Sequence, residues 1–151
     1  MTAPDDDPPV ARATPAPVAA RLRAARDPLL VAGVAVVGAI ALLAVDPHIP
    51  GSWGACPLYA LTGRYCAACG GLRATHDLLV GDLAGAWGMN PLWVLAVPLL
   101  LVVWVRWTTG ALRTGRPGRL PGTRWAVGTG VLLLAYGAAR NVPALAPWLA
   151  P

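Results

Sequence analysis

The sequence predicts an all-α integral membrane protein with three transmembrane helices and a short cysteine-containing helical cap between the first and second. Three observations predict it. The chain is 56% hydrophobic and 13% charged, against about 25% charged in a typical soluble domain. Its apolar residues gather into three stretches, near residues 29–45, 91–105 and 125–142, of the kind that fill a bilayer. Apart from Arg140 near the end of the third, its arginines lie outside those stretches, where they set topology. The mean hydropathy of +0.57 fits the same class. The 151 residues suffice for one domain.

Residues 1–27 read as a disordered cytoplasmic tail and residues 28–151 as a single membrane domain. The tail holds Asp5-Asp6-Asp7 and many prolines and alanines, with no periodic apolar face beyond a short helix near Val18 to Arg26. Leu29 to Val45 is seventeen residues without charge or proline. At about 1.5 Å per residue it reaches roughly 25 Å, against a hydrocarbon core of about 30 Å. Asp27-Pro28 begins it and Asp46-Pro47 ends it. The leader is too long and too acidic for a signal peptide. Trp53-Gly54-Ala55 lacks the aliphatic residue that a lipoprotein site before Cys56 needs. His48, in the exit loop, is given no role.

The cap spans residues 56–90 and contains all three cysteines, Cys56, Cys66 and Cys69. Thr62-Gly63 and Gly70-Gly71 are chain breaks. Leu72 to Val80 suits a short amphipathic helix ended by Gly81, and Asp82 suits the N-cap of a turn over Leu83 to Trp87. Asn90-Pro91 opens the second span, Pro91 to Val105. Trp87 or Trp93 stands at one interface and Trp104 and Trp107 at the other. Pro98 is expected to kink it. Arg106 to Arg124 reads as a loop with five arginines and no acid. The third span starts at Trp125 and counts fifteen residues to Ala139, or eighteen to Val142.

The arginines orient the chain. Arg12, Arg21, Arg23 and Arg26 precede the first span, and Arg106, Arg113, Arg116, Arg119 and Arg124 follow the second. Only Arg64, Arg73 and Arg140 fall on the other side. Nine against three puts the N-terminus in the cytoplasm, with the cap and the C-terminus extracytoplasmic, in a multi-pass protein of the cell membrane. Arg140 and Asn141 then share a face with the cap. Ionisable residues at span ends usually have partners, so Arg73, Asp77, Asp82, Asn90, Arg140 and Asn141 are expected to form one polar cluster. The plainer reading of Arg140 is that it snorkels to the interface.

Several of these residues recur in a known pattern: Cys56-Pro57, Thr62-Gly63, Cys66-x-x-Cys69-Gly70, Arg73-Ala74, Gly81-Asp82, Ala86, Asn90-Pro91 and a late Arg140-Asn141-x-Pro143. In them the chain resembles the domain-of-unknown-function 2752 family of small bacterial membrane proteins, over about Cys56 to Pro143. It departs at Ala67 and Leu72, where that family has proline and threonine. The resemblance implies an integral membrane protein and no particular activity.

The chemistry must come from the residues, and three readings stand. Cys56, Cys66, Cys69 and His76 can supply a tetrahedral site for zinc, two cysteines of a Cys-x-x-Cys turn being joined by a third and a histidine. Cys66-Ala67-Ala68-Cys69 also has the spacing of a thiol–disulfide motif, with Arg73 nearby to favour a thiolate, although no thioredoxin-like strand pattern surrounds it. The plainest reading is a compact cap closed by one disulfide on an oxidising face, worth about 2–4 kcal/mol, that contacts another membrane protein. Other catalytic templates fail: Ser52 is the sole serine and the chain has no glutamate or lysine. The sequence therefore predicts a non-enzymatic membrane scaffold or accessory component with a metal-binding cysteine cap, and membrane thiol–disulfide redox as the alternative. The expected partners are the lipid bilayer and another membrane protein or a second copy. Nucleic acid is excluded, because no basic patch interleaves with a reading motif.

Overall fold

The computed structural model describes residues 17–54, 56–116, 118 and 122–151. Its elements are α1 (Val18–Ala44), α2 (Pro57–Thr62), α3 (Gly71–Val80), α4 (Leu83–Met89), α5 (Pro91–Thr114), α6 (Thr123–Ala139) and α7 (Ala146–Leu149). Among the described residues there is no strand, so the fold is all-α.

Helix α1 has 27 residues, about 40 Å at 1.5 Å each. It starts at Val18, so the short helix expected near Val18 to Arg26 is continuous with the first span. Residues 18–27, assigned to the tail, are therefore helical, while residues 1–16 lie outside the described residues. Pro28 sits inside the helix rather than at its start. A proline there has no N–H for the carbonyl four residues earlier. Packing compensates: Ala24, Ala25 and Pro28 are buried, and the Pro28 carbonyl accepts the Trp104 indole N–H of α5 at 2.9 Å.

Helix α5 continues nine residues past Val105, into the expected loop. The segment from Trp107 to Thr114 holds no proline, so nothing in it stops the helix. Thr108 and Thr109 turn their hydroxyls back onto the carbonyls of Trp104 and Val105, at 2.9 and 2.8 Å. Gly115, at φ +64°, ends the helix in the left-handed region that only glycine enters freely. The Arg119 of the orientation count lies outside the described residues.

Helices α1 and α5 pack side by side and are both long and apolar enough to cross a bilayer. Val34 is 74% exposed and Leu99 63%, and contiguous apolar surface of this kind is a lipid-facing surface. The protein is a membrane protein with at least two spanning helices and a cysteine-bearing cap between them. Helix α6 is equally apolar but has 17 residues, none of them buried.

The ends of the long helices converge on the cap formed by α2, α3 and α4. A small core of Ala74, Ala86 and Val94, with Leu78 and Met89 against it, joins α3, α4 and the start of α5. Asn90 caps α5 by accepting the Trp93 N–H at 3.0 Å, and Pro91 fills the first turn. Asp82 caps α4 through the Gly85 N–H at 2.8 Å.

Candidate metal centre

Cys56 precedes α2, with Pro57 in the first turn. Gly63, at φ +67°, ends α2 and turns the chain back. Cys66 to Cys69 then form a tight turn, in which the Cys69 N–H donates to the Cys66 carbonyl at 3.3 Å. Gly70 follows at φ +78°, and a Cβ there would stand 2.5 Å from the Met89 carbonyl oxygen. Only glycine satisfies both the dihedral and that approach.

This path brings the three thiols together. Cys66 Sγ lies 3.1 Å from Cys69 Sγ and 3.6 Å from Cys56 Sγ, and all three sulfurs fall within 4.8 Å of one another. Zinc–sulfur bonds of about 2.3 Å in a tetrahedron set sulfurs about 3.8 Å apart, so small rotations about the Cα–Cβ bonds suffice to close the group on an ion. The Cys66 N–H also points at Cys69 Sγ, at 3.2 Å.

The cysteine turn is held from behind by residues far away in sequence. Arg140, fully buried at the end of α6, donates Nη1 to the carbonyls of Cys66 at 3.1 Å and Cys69 at 2.7 Å, and Nη2 to that of Met89 at 3.1 Å. Its guanidinium lies 5.9 Å from the Tyr65 ring centroid and 5.4 Å from that of Tyr136. Asn90 Nδ2 donates to the carbonyls of Ala67 at 2.9 Å and Cys69 at 3.2 Å, and its Oδ1 accepts the Tyr136 hydroxyl at 3.2 Å. Asn141 pairs with the backbone of Tyr65, accepting its N–H at 2.9 Å and donating to its carbonyl at 2.8 Å.

The thiols differ in character. The Tyr59 backbone N–H at the start of α2 holds the Cys56 thiol below its ordinary range. Burial pushes Cys69 up to about 12. Tyr65 is raised by its hydrogen bonding with Tyr59, whose ring stacks on it at 4.8 Å. All three cysteines line a cavity of about 690 Å³, together with Tyr59, Tyr65 and Arg73.

The other residues expected here go elsewhere. His76 groups with Asp46 and His48 and not with the cysteines, because α3 carries it away from the turn at Gly70. The six residues expected in one polar cluster divide. Asn90, Arg140 and Asn141 surround the cysteine turn. Asp77 accepts His48 Nε2 at 2.7 Å, Arg73 Nε donates to the Pro47 carbonyl at 3.3 Å, and Asp82 caps α4. Asp46, His48 and Tyr136 are the participants that sequence reasoning missed. His48 and Asp77 are 29 positions apart, a separation with no local periodicity to betray it. The Asp46-Pro47-His48 grouping at the end of the first span was the available signal.

Among the described residues no catalytic machinery accompanies the thiols. The two cysteines of the turn and Cys56 beside them, all lining a cavity, are able to coordinate a metal ion. Residues 56–104 match the family model described as Protein of unknown function (DUF2752), which takes in the cap and the first half of α5. The Arg140-Asn141-x-Pro143 segment falls beyond that match. No curated protein and no solved structure matches the chain.

Proposed function

Over residues 56–104 the chain belongs to the DUF2752 family, described as protein of unknown function, and from that premise we propose that it is a non-enzymatic accessory component of the cell membrane that holds a zinc-class ion on an extracytoplasmic cysteine cap. The observation that carries the reading is the convergence of Cys56, Cys66 and Cys69 within 4.8 Å. Thiolates are soft ligands that select zinc and similar ions. Three protein ligands leave a fourth position, which a structural site normally closes and a working site keeps open. His76 lies elsewhere, and the three cysteines line the cavity, so a bound ion would take its fourth ligand from water or from a partner membrane protein.

The topology belongs to the same proposal. Helix α6 is apolar and returns its C-terminal end to the cap, as α1 does, which supports three spans. Arg21, Arg23 and Arg26 near the start of α1, Arg106 and Arg113 in the C-terminal part of α5, Arg116 just beyond it and Arg124 in the first turn of α6 support a cytoplasmic N-terminus. The exposed apolar side of α6 offers a surface to lipid, another membrane protein or a second copy.

Native mass spectrometry of the purified full-length protein tests the site. Loss of one zinc per chain in Cys69→Ser, relative to wild type, is the expected result. An intact Cys66–Cys69 disulfide, with no metal lost on the substitution, overturns it. One observation favours redox chemistry as a second reading: Cys66 stands within reach of both Cys69 and the activated Cys56. Oxidation of the Cys66 and Cys69 thiols to a disulfide would transfer two electrons and two protons to a disulfide-bearing partner, which is left as a dithiol. Reversible oxidation by such a partner, with no bound metal, is the outcome that selects this reading.

A further inference from the structure

A second group of ligating side chains lies on the same cap, outside the cysteine turn. We propose that Asp46, His48 and His76 form a separate site for a divalent first-row metal ion, oriented by Asp77. The inference does not rest on the cysteine reading.

The three side chains each bring a ligand atom to within 4.8 Å of the others. The His48 and His76 rings stand 5.8 Å apart at 71°, edge to face rather than stacked. His48 Nε2 donates to Asp77 Oδ1 at 2.7 Å. That fixes the His48 tautomer and leaves Nδ1 with a lone pair for an ion. A carboxylate behind a histidine ligand is the usual way a protein sets ring orientation and raises ligand basicity. Asp46 is fixed as well: its Oδ1 accepts the His48 backbone N–H at 2.8 Å.

Of the four buried side-chain polar atoms without a partner among the described residues, two lie at this group. His76 Nδ1 has no hydrogen-bond partner, although it is 3.5 Å from Asp77 Oδ1. Asp77 is 6% exposed and its Oδ2 is also unpartnered. Buried polar atoms are nearly always satisfied. An ion coordinated through Nδ1 would satisfy the first directly. Its positive charge also stabilises the buried Asp77 carboxylate.

Two imidazoles and one carboxylate make a harder donor set than three thiolates. They suit zinc, cobalt or nickel through nitrogen and oxygen. The ion would join the loop that follows α1 to helix α3. Pro47, between two of the residues concerned, lines the cysteine cavity and accepts Arg73, so occupancy of this site bears on the wall of that cavity.

The test uses cobalt(II) as a spectroscopic stand-in, on full-length protein in detergent. In the Cys56→Ser, Cys66→Ser, Cys69→Ser variant one cobalt ion should still bind, without thiolate-to-cobalt charge-transfer absorption. His48→Gln or His76→Gln in that background should abolish it, and Asp77→Asn should weaken it about 10- to 100-fold. A helical triple variant with no saturable cobalt binding overturns the proposal. So does binding that both histidine variants leave unchanged. If the triple variant fails to fold, the His48→Gln, His76→Gln double variant is titrated with the cysteines intact. Loss of one non-thiolate equivalent supports the site, and an unchanged stoichiometry overturns it.

Discussion

Replacing Arg140 by methionine should loosen the cysteine turn while leaving α1 and α5 intact. The wild-type guanidinium donates three hydrogen bonds of 3.1 Å or less, to the carbonyls of Cys66, Cys69 and Met89, and a longer one to that of Ala67 at 3.5 Å. Bonds from a charged donor contribute about 1.5–3 kcal/mol each, so three sum to about 4–9. Against this, a buried cation with no acidic partner carries a desolvation penalty of several kcal/mol, which methionine removes. Two of the carbonyls also keep a second donor: Cys66 the Cys69 N–H at 3.3 Å, and Cys69 the Asn90 amide at 3.2 Å. The Met89 carbonyl, at the C-terminal end of α4, loses its side-chain donor. The expected net loss is about 2–4 kcal/mol of local stability. With about 1.4 kcal/mol per factor of ten, the open population of the turn rises roughly 30- to 1000-fold when opening and closing are fast. The assay is the alkylation rate of Cys69, followed by mass spectrometry on reduced, metal-free protein, because Cys69 is the most buried thiol. Arg140→Lys should fall between, keeping the charge but losing the two-pronged donor. A Cys69 rate in Arg140→Met within two- or threefold of wild type, with helix content unchanged, would refute the reasoning.

Two further outcomes follow from the same geometry. In the reduced, metal-free protein Cys56 should be alkylated first and Cys69 last, as peptide mapping of partial reactions will show. Folding favours the neutral form of Cys69, so its contribution to stability is complete below pH 9.0 and is lost as pH rises towards about 12. Cys56 has the opposite sign: its contribution is present above pH 9.0 and is lost as pH falls through its lowered value. Unfolding curves of Cys69→Ala and Cys56→Ala against pH, each compared with wild type, check the two directions. Gly70→Ala should destabilise the cap by at least about 1–2 kcal/mol from the left-handed backbone alone. The Met89 carbonyl must shift as well, and thermal unfolding followed by near-ultraviolet circular dichroism reads the loss.

Much of the architecture was legible because it rests on local signals. Gly81, Asp82, Asn90 and Pro91 mark helix ends by their own backbone chemistry, and α3, α4 and the start of α5 lie where those residues put them. Proline misled at Pro28, where the rule that it ends a helix gave way to packing by Ala24 and Ala25 and to the Trp104 bond. Glycine decided the end of α5: the arginines after Val105 suggested a loop, but nothing in Arg106 to Thr114 forbids a helix until Gly115. The cysteine cluster was readable from three cysteines in one short segment. Its geometry was not, since Arg140 reaches the turn across 71 positions and Tyr136 supports it through Asn90, 46 positions away. His76 is the instructive case. A histidine seven positions after a cysteine looks like the next ligand in a linear motif, but Gly70 and the start of α3 change the chain direction between them.

Helix α6 meets the rest of the described molecule mainly through one end. Tyr136, Arg140 and Asn141 bind the cap, Gly137 lies close to the Ala67 backbone, and none of the helix's own residues is buried. Mechanically it is a rod of about 25 Å whose side-chain hold on the cap lies at one end, its other end being joined to α5 through the chain. A lateral load on that far end acts with the full length of the rod as its lever arm, and the joint that takes up the torque is the backbone of the two cysteines Arg140 grips.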